Sequence, residues 1–120
     1  MSEANYFDKL KIKMDEYAHL VYKLSKAFPK EEIYGITSQL RRATLSVILN
    51  YIEGYARVKK AVKKNFWEIA YGSLKESKYL LHFSFVEKYL AQNDYLKAAR
   101  LSEEIGAMLW RAIESMDFHG

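Results

Sequence analysis

Five basic side chains, Arg57, Lys59, Lys60, Lys63 and Lys64, fall in a short stretch that contains no acid. Such a run suits phosphate: each cation displaces a condensed counterion and contacts the nucleic-acid backbone without reading a base. The surrounding charge agrees. The first sixty residues carry the whole net charge of +4, and the second sixty are balanced. Tyr55 and Phe66 flank the run but no aromatic interrupts it, so base stacking is marginal and sequence preference should be weak. The competing reading is a solvated connection between two helices. Steep loss of binding with salt separates the two.

A second group is polar and sits where water is not expected. In residues 39–54, QLRRATLSVILNYIEG, Gln39, Arg42, Ser46, Asn50 and Glu53 fall within an arc of about 80° at helical periodicity. Leu40, Ala43 and Val47 flank that stripe on one side, and Leu45, Leu49 and Ile52 on the other. A helix apolar nearly all round is buried on all sides. One bundle of this length leaves part of it exposed, so a second chain is expected to cover the rest. Glu76 poses the same problem on an apolar face further along. Pairing with Arg42, with Gln39, Ser46, Asn50 and Glu53 completing a buried polar network, would satisfy both charges.

Other chemistry is poorly supported. Glu16 and His19 match half of a bundle di-metal site, but His82 and His119 have no glutamate three residues before them. No metal and no other cofactor is therefore expected. Ser46, Ser73, Ser77 and Ser84 have no histidine placed as a base, which the geometry of nucleophilic catalysis requires. The five glycines are scattered rather than gathered into a phosphate loop. No catalytic residue stands out, and an enzyme is not expected.

The elements that position these groups follow from periodicity. Phe7, Leu10, Met14, Tyr17, Val21, Leu24 and Phe28 alternate steps of three and four, which predicts a helix over 6–28 that ends at Pro29. Further helices are predicted over 36–58, 62–90 and 94–116, the last capped by Asn93 and Asp94. On the third, one face carries Phe66, Ile69, Ser73, Glu76, Leu80 and Phe83. A second stripe carries Trp67, Leu74, Leu81 and Phe85. The fourth turns Ala98, Leu101, Ile105, Met108, Ala112 and Met116 inward. No strand-like alternation is present. The fold class is all-α: a single domain over 1–120, an antiparallel up-down four-helix bundle. Leu45, Leu49, Trp67 and Phe85 are the candidate oligomer contacts. The absence of cysteine, of a signal peptide and of a long apolar run predicts a cytoplasmic protein with no membrane partner.

Phe28-Pro29, Tyr34-Gly35, Ser38-Gln39, Arg41-Arg42-Ala43, Ser46, Asn50 and Glu53-Gly54 together resemble the signature of small bacterial four-helix-bundle proteins encoded by intervening sequences of 23S rRNA genes. The likeness continues through Ile69-Ala70, Gly72-Ser73-Leu74 and Glu76, and so covers essentially the whole chain. It implies barrel-like homopentamers. It also implies kinship with the accessory variability determinants of diversity-generating retroelements, which bind nucleic acid and a reverse transcriptase. Ile48 and Ile52 stand where the family often has proline and alanine, so the second helix should be straighter and bulkier. The leading expectation is a non-enzymatic homo-oligomer that binds RNA or another nucleic acid through its basic surface. The alternative is a protein-interaction scaffold or accessory subunit, with a reverse transcriptase or another protein as its partner.

Overall fold

In the computed structural model, which describes residues 3–117, α1 spans Glu3–Ser25, α2 Ile36–Tyr55, α3 Lys60–Val86 and α4 Gln92–Asp117. A single 3-10 turn, Lys30–Glu32, bridges α1 and α2. No strand occurs among the described residues. The helices form a four-helix bundle in which α2 packs on α1 and α3, and α4 packs on α3 and α1.

The predicted boundaries hold to within about four residues, and each shift has a local cause. Phe28 precedes Pro29, which disfavours helical angles there. The chain leaves α1 at Ser25, and the N–H groups of Lys26, Ala27 and Phe28 bond to carbonyls three residues back. The serine hydroxyl then accepts from Arg41 Nε at 2.8 Å, tying α2 to the end of α1. α3 ends at Val86 rather than near Leu90, because Lys88 adopts φ 67°. The Tyr89 N–H reaches Ser84 O at 2.8 Å and the Lys88 N–H reaches Phe85 O at 3.0 Å. That pair of bonds is a Schellman ending, with lysine where glycine is usual. Asn93 and Asp94 are not the cap of α4. The Tyr95 N–H bonds to Ala91 O at 2.9 Å, so the helix is already under way at Gln92. Asp94 instead lies in the first turn, where its negative charge complements the positive end of the helix dipole. α2 runs unbroken through Ile48.

The core follows the α1 stripe. Leu10, Met14, Tyr17 and Val21 are fully buried against Leu40, Val47 and Tyr51 of α2 and Ile105 and Leu109 of α4. On α3 the inward stripe is the one bearing Trp67, Ala70, Leu74 and Leu81. Ile69, Glu76 and Phe83 of the other face point outward; only Leu80 of that set is well buried. Burying each such Leu or Trp side chain contributes roughly 1.5–3 kcal/mol. The exposed pair Lys13–Glu104 (2.7 Å) and the pair Lys78–Glu103 decorate the seams of α4. Surface pairs of this kind add about 0–1 kcal/mol.

The α2–α3 contact is closest at Gly54. A Cβ there would stand 2.5 Å from Trp67 Cδ1, 2.7 Å from its Nε1 and 3.0 Å from Lys63 O. The indole N–H, freed to approach, donates to Tyr51 O at 3.1 Å. Alanine normally improves a helix over glycine by about 1 kcal/mol. At Gly54 the added methyl meets a rigid buried ring and a backbone carbonyl, so overpacking should dominate. Gly54→Ala is expected to destabilise by about 1–3 kcal/mol, lowering the melting temperature followed by circular dichroism by roughly 5–15 °C. A melting temperature at or above the parent's refutes the close-approach argument.

Two buried phenols predict alkaline sensitivity. Tyr17 is fully buried, and its O–H donates to Ser77 Oγ at 2.7 Å while Ser77 donates onward to Leu74 O. Burial pushes the Tyr17 phenol well above the ordinary tyrosine range, and it does the same to Tyr51. Below about pH 10 both folded and unfolded chains keep these protons. Above it the unfolded chain ionises first, so stability should fall by up to about 1.4 kcal/mol per pH unit for each such tyrosine. Denaturant melts between pH 9 and 12 should show a shallower decline for Tyr17→Phe; an unchanged slope removes Tyr17 from the account.

Candidate nucleic-acid interface

The basic residues lie where α2 hands over to α3. Residues 56–59 form the connection, and α3 opens with Lys60. Arg57, Lys59 and Lys60 are exposed; Lys63 and Lys64 are half-buried. Arg57 and Lys63 both have partners within the chain. Arg57 lies 3.3 Å from the Glu53 carboxylate and has its guanidinium 5.1 Å from the Phe66 ring centroid. The Lys63 ammonium sits 5.4 Å from the Tyr55 ring and 5.7 Å from that of Trp67. Lys59 and Lys60 make no ion pair among the described residues.

Local electrostatics make this placement unusual. A helix N-terminus carries roughly half a positive charge and favours acids in its first turn. The first turn of α3 contains no acid, and its N-cap, Lys59, makes no side-chain capping bond. Unbonded amide groups and lysines therefore share one end, each unfavourable to the other without an anion between them. Those are the ingredients of phosphate recognition.

The polar stripe of α2 does not form the expected network. Arg42 and Glu76 are both exposed and make no ion pair with each other within the chain. Arg42 Nη2 only approaches Ser38 Oγ, at 3.4 Å. Gln39 is exposed as well, and Glu53 is turned to Arg57. The cause is geometric: α2 buries Leu40, Ala43, Val47 and Tyr51, which places the opposite side of the helix outside the bundle. A smaller polar join does form. Ser46 Oγ and Ser73 Oγ lie 2.8 Å apart across the α2–α3 seam, and Asn50 Nδ2 donates to Ser46 Oγ and Ser46 O, each at 2.9 Å.

The candidate oligomer contacts divide. Leu45 and Leu49 are exposed, Leu49 at 61%. Trp67 is 1% exposed and belongs to the core, so it is not available to a partner chain. Phe85 is half-buried and stacked on Tyr95 of α4 at 4.7 Å, so it too serves the bundle itself. Beside Leu45 and Leu49, the exposed apolar side chains include Ile52 of α2 and Ile69, Tyr79 and Phe83 of α3. Trp67 was the harder to place, because both stripes of α3 are apolar and periodicity does not rank them.

Among the described residues no group of three or more His, Asp or Glu could hold a metal. His19 is exposed beside Asp15 at 3.4 Å. His119 lies outside the described residues. No helix among the described residues is long and apolar enough to cross a membrane. An aromatic cleft beside the basic connection was not anticipated; Phe7, Lys11 and Tyr55 build it from two helices, and Tyr55 alone gave a hint by flanking the basic run.

No functionally curated protein matches the chain. The fold matches a crystal structure of a protein of unknown function from the S23 ribosomal protein family of Bacteroides thetaiotaomicron, with a TM-score of 0.84 and 24% identity. The match covers 91% of this chain and 98% of that one, and speaks to the fold. The model of the 23S rRNA-intervening sequence proteins matches residues 9–111, spanning all four helices. The chain belongs to the 23S rRNA-intervening sequence protein family.

Proposed function

We propose that this is a non-enzymatic homo-oligomer of antiparallel up-down bundles, closed into a ring, that binds RNA or another nucleic acid through its basic end. The observation that carries the reading is the α3 N-terminus, where Lys59 and Lys60 stand exposed and without acids at the positive end of a 27-residue helix. A phosphate there satisfies amide groups and lysines together. Several copies in a ring turn such weak contacts into avidity; the family resemblance implies five. Exposed Trp110, packed on Tyr71 at 5.3 Å, favours a second reading in which a protein partner docks on the α3–α4 side.

Assembly is supported by what the single chain leaves uncovered. Leu45, Leu49, Ile52, Ile69 and Phe83 are outward, with Arg42 and Glu76 among them. Arg42 and Glu76 of neighbouring copies are charge-complementary, so a pair missing within the chain becomes available between chains. Gly72 adds to this. A Cβ there meets nothing within 4 Å, and a mid-helix glycine costs about 0.8–1 kcal/mol relative to alanine. A close-packed neighbour gives that glycine a reason. Gly72→Ala should stabilise the dissociated chain while weakening assembly, as read by sedimentation across a concentration series. A parent that stays monomeric at micromolar concentration sinks the ring.

Lys59→Gln with Lys60→Gln should leave helix content and assembly intact and weaken RNA binding. In a gel-shift titration over several salt concentrations, the log–log slope should become shallower by about 1.4 on single strands or 1.8 on duplex, per engaged protomer. Equal affinity and slope for parent and double variant would leave the patch as a solvated connection.

A further inference from the structure

Beside the basic connection lies a cleft of about 200 Å³ lined by Phe7, Asp8, Lys11, Tyr51, Ile52 and Tyr55. Whole small-molecule ligands occupy pockets of roughly 300–1,000 Å³. This cleft is smaller and suits one flat ring system rather than a complete cofactor. Its wall is aromatic and held in place from behind. Tyr55 is 49% exposed; Phe7 meets it edge-on at 5.7 Å, and Tyr51 lies at 6.3 Å. Phe7 and Tyr51 both rest on buried Trp67, at 5.7 and 5.5 Å. An exposed ring fixed in this way loses little entropy when another ring stacks on it.

The charges around the cleft narrow the ligand. Lys63 places its ammonium 5.4 Å from the Tyr55 centroid but does not line the cleft. Lys11 does line it. Cations therefore flank the aromatic wall, as a stacked base with neighbouring phosphates requires. Asp8 argues against a bare phosphate in the cleft, since like charges repel. Its carboxylate accepts only, and the exocyclic amino group of cytosine, adenine or guanine donates. We propose, resting on the nucleic-acid reading above, that Tyr55 is a stacking platform for one unpaired base, with Asp8 accepting that base's amino group and Lys11 and Lys63 serving the flanking phosphates.

The test compares full-length parent, Tyr55→Ala, Tyr55→Leu and Tyr55→Phe by fluorescence anisotropy, using a labelled single-stranded RNA and the blunt duplex made from it. Stacking predicts that Tyr55→Ala and Tyr55→Leu each weaken single-strand binding by about fivefold or more while duplex binding is retained, and that Tyr55→Phe behaves as the parent. Tyr55→Leu keeps apolar bulk without a flat face, which guards against simple loss of folding, and helix content is checked for each variant. Oligo(C) should bind more tightly than oligo(U), and Asp8→Ala should erase that difference. Unchanged single-strand affinity in folded Tyr55→Leu overturns the stacking inference, and if Lys59→Gln with Lys60→Gln still weakens binding, the phosphate reading survives it. Equal losses on single strand and duplex also overturn it, by making Tyr55 a support for the basic end. A parent that binds neither RNA overturns both readings.

Discussion

The structure depends on how closely α2 and α3 approach at Gly54. Only a residue without Cβ lets the Trp67 indole lie against the α2 backbone and donate to Tyr51 O. That bond is directional and buried, so it sets the axial register of the two helices as well as their spacing. The rest of that end follows from it. Tyr51 stacks on the indole, Phe7 joins from α1, and the short connection over residues 56–59 must turn directly above them. The position of the lysines is a consequence of an apolar contact beneath them.

At the outer side of the same helix pair the logic reverses. Within one chain, α2 has more apolar surface than a four-helix bundle can cover, and its polar stripe faces outward with it. The Ser46–Ser73–Asn50 join lies at the boundary between the two regions, satisfied inside the chain and leaving Arg42 and Glu76 beyond it. The proposed ring places mixed apolar and charged residues against a neighbour, a composition in which complementary charges choose the partner and its register more than they add affinity.

Much of the fold was legible because α1 has one unambiguous stripe. Leu10, Met14, Tyr17 and Val21 read as core and are core. α3 was harder. Its two apolar stripes are similar in strength, and periodicity reports that a face exists without saying which neighbour it meets. Trp67 therefore reads as a partner contact in the sequence although it is buried inside its own bundle. The end of α3 was hidden for a different reason: its left-handed position is occupied by Lys88, and no glycine marks the stop. Arg42 and Glu76 illustrate a third limit. Polar residues beside apolar ones look alike whether they belong to a core or to a surface that is covered later. The basic run was legible in composition and location, whereas the cleft beside it was not, since Phe7 near the start of α1 and Tyr55 at the end of α2 meet only once the two helices pack.

The chain has two tryptophans in contrasting surroundings: Trp67 is sealed in the core with an ammonium 5.7 Å from its ring, and Trp110 is half open to water on the far helix. Their emission is thereby separable by a water-borne quencher, which reaches Trp110 and not Trp67. What remains is the glow of one indole seated between the helix joint and Lys63. An anion that draws that lysine outward removes a positive charge from beside the ring, and the colour of the residual light becomes a label-free reading of what the basic end is doing.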